Sequence, residues 1–199
     1  LWDQTVSGTP PDGFLYGHEF TKDDINNALK AETEEEAFNI VNSRDIIGHG
    51  TAVAGVACGN GRKAASNSYE GAAPEASLIV VKIGRNIDKG FAHSTELMRG
   101  IRYVINKAIM LNMPIVINIS FGTNDGSHDG RSIFETFIDE ISEEWKTNIV
   151  IASGNEGSAG NHYREKLNAN SSTNVDFTVS SNLKVLWVSL WKSFTDFFN

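Results

Sequence analysis

Three short stretches carry side chains that could do chemistry. In DIIGHGTAVAGVA, residues 45–57, His49 stands between Gly48 and Gly50 and is followed by a run of very small residues. Neutral imidazole is the side chain best suited to moving protons near pH 7. A histidine held only as packing has no need of glycine on both sides. The other two stretches are apolar runs that end in unusual sequences: IVINISFG closes on Ser120, Phe121 and Gly122, and IVIASGNEG on Ala152, Ser153, Gly154 and Asn155. Glycine at a strand end lets a ligand's backbone come close, and an asparagine in such a turn presents an amide NH₂. That donor can stabilise charge developing on a carbonyl oxygen.

The elements that must position these groups follow from hydrophobic period and punctuation. Residues 21–42 read as two short helices, the first capped by Thr21 with Asp23 and Asp24 in its opening turn. Residues 51–58, with Ala52, Val53, Ala54, Val56 and Ala57, predict a buried helix whose small side chains admit neighbouring backbone. SLIVVKI (77–83), IVINISF (115–121) and NIVIAS (148–153) predict strands buried on both faces. Between the first two, Leu97, Ile101, Val104, Ala108 and Leu111 make one face of a helix over 94–112, capped by Ser94 and stopped by Pro114. Between the second and third, Ser132 and Glu135 form a capping box ahead of a helix carrying Phe134, Phe137, Ile138, Ile141 and Trp145 on one face. Strand, helix, strand, helix, strand at this spacing predicts right-handed crossovers and an α/β three-layer fold, a parallel sheet with helices on both faces. Ligands of such sheets bind beyond the carboxyl ends of the strands, where the two glycine-bearing segments lie.

The tail differs. VDFTVS alternates cleanly and KVLWVSLW is longer and more apolar, with no intervening helix, which predicts the start of an antiparallel β unit. The polar stretch NANSSTN sets a boundary near residues 165–174, so the domains are expected at 1–168 and 174–199. Neither Leu1-Trp2-Asp3-Gln4 nor the β-prone last residues look like natural termini, and the chain is expected to be a piece of a longer protein.

Composition excludes some classes. The 199 residues, 40% hydrophobic and 21% charged, suit a globular protein. A net charge of −8 without a basic patch argues against a nucleic-acid partner. Cys58 is the only cysteine, so no intrachain disulfide framework exists, and no stretch approaches the length of a membrane-spanning helix. No glycine fingerprint for nucleotides follows any of the strands.

GHGTAVAG (48–55), GAAPEASLIVVKI (71–83), IVINISFG (115–122) and IVIASGNEG (149–157) resemble, in that order, the subtilisin-like serine proteases. The tail after GNEG is further similar to the clostridial Csp-type germination proteases, in which a jelly-roll domain interrupts the catalytic domain. The resemblance implies an endopeptidase working through an Asp-His-Ser triad. His49 would then be the catalytic histidine and Asn155 the oxyanion donor. Ser120, Phe121 and Gly122 would form the edge that pairs with extended substrate, and Ala152, Ser153 and Gly154 one wall of the pocket for the side chain before the scissile bond. It implies a protein or peptide substrate, admits a propeptide as partner, and places the protein outside the cell or in the spore. Calcium often stabilises the family, but no carboxylate cluster here matches its sites, so no cofactor is assigned.

Two features depart from the family pattern. Ala52 stands where a second histidine is common, outside the triad. More consequentially, no aspartate sits at the end of an apolar strand before Ser or Thr and Gly, and no Gly-Thr-Ser segment follows Asn155. The 199 residues alone are therefore expected to be proteolytically inactive, with the Asp and Ser elsewhere in the parent. The alternative is a catalytically silent module of the same fold, acting as sensor or scaffold.

Overall fold

Trp2 and Asp3, the first strand, lie fully buried at the centre of a small sheet. The computed structural model of the chain describes residues 1–62, 69–84, 93–122, 126–182 and 184–192. In it, β1 (Trp2–Asp3) pairs antiparallel with β2 (His18–Glu19) and parallel with a strand at Val81–Lys82, in register Trp2 to Val81 and Asp3 to Lys82. Between β2 and that third strand run three helices: α1 (Lys22–Ala28), α2 (Glu34–Ile40) and α3 (His49–Cys58). The strand at Val81–Lys82 is β3, and α4 (Ser94–Met110), β4 (Ile115–Ile119), α5 (Ile133–Ser142) and β5 (Thr147–Ile151) follow it.

The alternation of strands and helices is as expected, but the strands do not form one continuous sheet. β3 gives its hydrogen bonds to β1, while β4 and β5 pair with each other, parallel and in register from Ile115 with Thr147 to Ile119 with Ile151. Trp2 N donates to Val80 O at 2.9 Å and Gln4 N to Lys82 O at 3.0 Å, so the edge of β3 is taken by a segment from the start of the chain. The two faces of β4–β5 also differ. Helices α4 and α5 cover one side, burying Ile117 and Ile119, whereas Val116 and Val150 on the other are 70% and 50% exposed. The strands thus alternate, because both helices pack on the same face and no described element covers the opposite one.

One apolar core joins the two sheets. Leu97, Ile101, Val104 and Ile105 of α4 meet Ile117 and Ile119 of β4, Ile141 of α5, and Trp2. The Trp2 ring contacts Phe14, Tyr16 and Tyr103 at centroid distances of 4.6, 5.6 and 5.2 Å, and its Nε1 donates to Tyr16 O. Trp2→Ala is expected to cost about 3 to 5 kcal/mol of unfolding free energy, the usual loss for deleting a buried aromatic. A denaturant midpoint equal to that of the parent would show that this aromatic cluster is not the keystone of the core.

Helix ends follow their local chemistry. Thr21, Thr33 and Ser132 each accept from the third residue on and receive a reciprocal carboxylate, from Asp24, Glu36 and Glu135. For α4 the cap is one residue earlier than Ser94: His93 N donates to the buried Glu96 carboxylate at 2.8 Å. Helix α5 stops at Ser142, so Trp145 does not extend its apolar face. It sits at φ 55° with its Nε1 donating to Met113 O, tying the end of α5 to the turn before β4.

Two expectations are not met among the described residues. The apolar composition of α3 predicts burial, yet the helix has no buried residue and Val56 is 75% exposed. Its small apolar residues lie on every side, but no described element packs along it. Nor does an antiparallel unit appear among the described residues of the tail. Residues 152–182 and 184–192 are exposed and contain neither helix nor strand. Alternating side chains specify a strand only where a neighbour supplies partners for its N–H and C=O groups, and VDFTVS and KVLWVSLW meet none among the described residues. Residues 183 and 193–199 of that tail lie outside the described residues.

Candidate active site

The β4–β5 register brings the two glycine-bearing segments together. Because Ile119 lies opposite Ile151 and Ala152 N donates to Ile119 O at 3.1 Å, the chains leave the sheet side by side at Ser120 and Ala152. The Ser120 Oγ accepts from Asn118 Nδ2 at 2.9 Å, which holds that side chain along the strand. Phe121 is 36% exposed. A β-carbon added at Gly122 or Gly154 would meet no atom within 4 Å, so the strip beyond the sheet is open on both segments. Gly154 has φ +90°, a conformation that favours glycine, and it turns the chain so that Asn155 follows in an exposed bend. An open strand edge beside an exposed carboxamide can hydrogen-bond an extended peptide and donate to one of its carbonyl oxygens.

His49 is the first residue of α3, on the solvent side, after Gly48 at φ +84°. Gly48 has no side chain with which to cap the helix, and the cap comes from Asp45 instead. Its Oδ1 accepts from Ile47 N (3.2 Å) and Gly48 N (2.8 Å), and its Oδ2 from Thr51 N (2.7 Å) and Thr51 Oγ1 (2.8 Å). The bonds from the Thr51 amide and hydroxyl, then from the Gly48 amide, bring the pKa of the Asp45 carboxyl down to about 2. Its folded value lies below the unfolded one, so the cap is intact above the ordinary carboxylate range and is lost as pH falls towards 2.

Upstream of Asp45 the loop is tied to the core. Ser43 Oγ donates to Asp3 Oδ2 at 2.5 Å, and Asp3 also accepts from Thr5 N at 2.8 Å and Thr5 Oγ1 at 2.6 Å. Lys82 Nζ lies 3.3 Å from Asp3 Oδ2. Burial pushes the Asp3 carboxyl up, but the hydrogen bonds from Ser43 and Thr5 and the Lys82 charge together hold it below its usual value. Asp3 therefore stays ionised as an anchor. At the other end of α3 the GAAP segment closes the helix: Gly71, Ala72 and Ala73 amides donate to the carbonyls of Gly59, Val56 and Ala57 at 2.7 to 2.9 Å. A β-carbon at Gly71 would fall 2.7 Å from Gly59 N and 2.8 Å from Cys58 N, so only glycine fits there. This close approach is to the C-terminal backbone of α3 and depends on Gly71, not on small side chains along the helix.

The six edge residues are thus assembled at one end of β4–β5. His49 and Asn155 are both exposed and sit on separate elements, and no hydrogen bond joins them. Sequence reading missed the anchors of the histidine loop. Asp45 is a typical capping residue, but it lies three residues before the N-cap position, and the Asp3–Ser43 pair is separated by 40 residues with no local signal. Among the described residues no group of three His, Cys, Asp or Glu side chains converges to hold a metal ion. No helix among them is long and apolar enough to cross a membrane.

Comparison with known proteins points to one family. A subtilisin from Bacillus sp. (strain TA39) is 34% identical over 113 residues, covering 57% of this chain and 25% of that protein. The solved structure of the Clostridium perfringens CspB protease superposes with a TM-score of 0.67 at 38% identity, over 80% of this chain and 31% of that one. The chain therefore spans a quarter to a third of the relatives it matches. The subtilase family model matches residues 11–189, and the chain belongs to the subtilase family.

Proposed function

We propose that this chain supplies the general base, the oxyanion donor and the substrate-binding edge of a serine endopeptidase. The observation that carries the reading is the side-by-side exit of Ser120–Gly122 and Ala152–Asn155 from paired strands, in a chain that holds His49 at the head of a helix. The likeness to a subtilisin and to the CspB protease supports it.

In this reading an extended peptide adds as a strand along Ser120–Gly122, with Phe121 favouring apolar substrate side chains. Ala152, Ser153 and Gly154 wall the pocket for the residue before the scissile bond. His49 takes the proton from a serine hydroxyl as that oxygen attacks the carbonyl carbon, and returns it to the leaving amine. The Asn155 NH₂ donates to the carbonyl oxygen as it becomes an oxyanion. The serine and the orienting aspartate are assigned to parts of the parent beyond residues 1–199, and these residues alone are inactive.

The test is serine-directed labelling of the full-length parent. A fluorophosphonate reagent is expected to abolish its hydrolysis of an apolar peptide ester with one-to-one labelling. A folded parent that neither labels nor hydrolyses the ester would instead identify a silent module of the same fold.

A further inference from the structure

We propose that Asp45 is a positioning residue for His49, locking the histidine turn onto the core strand β1 through Ser43 and Asp3. The inference deepens the proposed function and rests on its assignment of His49 as general base.

The backbone around the imidazole has unusual freedom. Glycines at 48 and 50 give His49 the least restricted surroundings an L-residue can have, and Gly48 sits in the left-handed region with open space where a side chain would stand. A proton-transfer group needs the opposite, because misplacement by about 1 Å can cost about 10²-fold in rate. Asp45 resolves the conflict. Its two oxygens accept four hydrogen bonds from Ile47, Gly48 and Thr51, residues that bracket His49 on both sides. A β-carbon at Gly50 would stand 3.4 Å from Asp45 Oδ2, so the carboxylate packs directly under the glycine after the histidine.

A clamp on an unattached loop would fix shape but not place. Place comes from two residues upstream, where Ser43 donates to Asp3, a carboxylate with no exposed surface on a strand at the centre of its sheet. Asp3 is itself held by Thr5 and Lys82, the latter from the neighbouring strand β3. The path from core to imidazole is thus Asp3, Ser43, Asp45 and the first turn of α3. Simple capping of α3 would need only one of the four bonds to Asp45, and would not need the Ser43 tie.

The experiment uses the full-length parent and the peptide ester. Asp45→Ala is expected to lower kcat by about 10- to 100-fold with KM changed less than about twofold, the pattern of a displaced catalytic group. Asp45→Asn, which keeps one carbonyl oxygen and so part of the clamp, is expected to recover an intermediate kcat. In the Asp45→Ala, His49→Ala double variant, the loss is expected to equal that of His49→Ala alone, since a positioning residue has nothing left to position. Unchanged kcat in a folded Asp45→Ala protein, or a double variant whose losses multiply, would overturn the inference while leaving the endopeptidase reading intact. Full hydrolysis by His49→Ala would bring down both.

Discussion

Full-length protein carrying His49→Ala is expected to lose peptide-ester hydrolysis by a factor on the order of 10⁴ to 10⁶, the range that triad deletions produce in subtilisin, a relative of this chain. The physical reason is that a serine hydroxyl is far too weak an acid to ionise at neutral pH. Without an adjacent base it stays protonated and is a poor nucleophile. The substitution removes an exposed ring at the first position of α3, outside the apolar core, so the fold should be retained. The check is a pair of measurements on one preparation: kcat for the ester, and the thermal midpoint. A normal midpoint with full activity would remove the histidine from the mechanism. A collapsed midpoint would assign His49 to stability instead.

The second large effect is at Asn155. In subtilisin itself, loss of the oxyanion asparagine costs about 10² to 10³ in kcat, and that relative supplies the magnitude. Here the expectation for Asn155→Ala is a loss in kcat of that order with KM nearly unchanged, because the donor meets its full partner only when charge has developed on the substrate oxygen. Asn155 is exposed in a bend after Gly154, outside the helices and strands that form the core, so its removal should cost little stability. Asn155→Asp preserves size but replaces a donor with an acceptor, and should be at least as poor. Should both variants raise KM and leave kcat intact, the amide would be a ground-state contact with substrate and not an oxyanion donor.

The two effects differ in kind, and the difference separates the roles. In the proposed mechanism His49 accepts and returns a proton, so its loss would remove a chemical step. In the same proposal Asn155 acts through a preorganised dipole, so its loss would raise the barrier of a step that still takes place. The substrate contacts proposed for Ser120–Gly122 belong to neither class, and changes there should fall mainly on KM.

What the amino-acid order determined unaided was local. The apolar period of 94–112, the stop at Pro114, the Ser132 capping box and the β-branched runs at 115–121 and 148–153 are interactions between residues within a few positions of each other. They appear in the structure to within a residue or two. The roles proposed for His49 between glycines, and for Asn155 after Gly154, rest on the same local ground: side-chain type and backbone freedom are properties of short stretches. Tertiary structure decided which edges pair, which faces are covered and what holds the histidine. β3 joins β1 and not β4, α4 and α5 share one face of β4–β5, and Asp3 reaches Ser43 across 40 residues. Hydrophobicity could not tell the exposed α3 from a buried helix, nor could alternation make strands of the tail, because burial and pairing depend on a partner. Partners far along the chain are chosen by the free energy of the whole packed arrangement, and no short stretch encodes that choice.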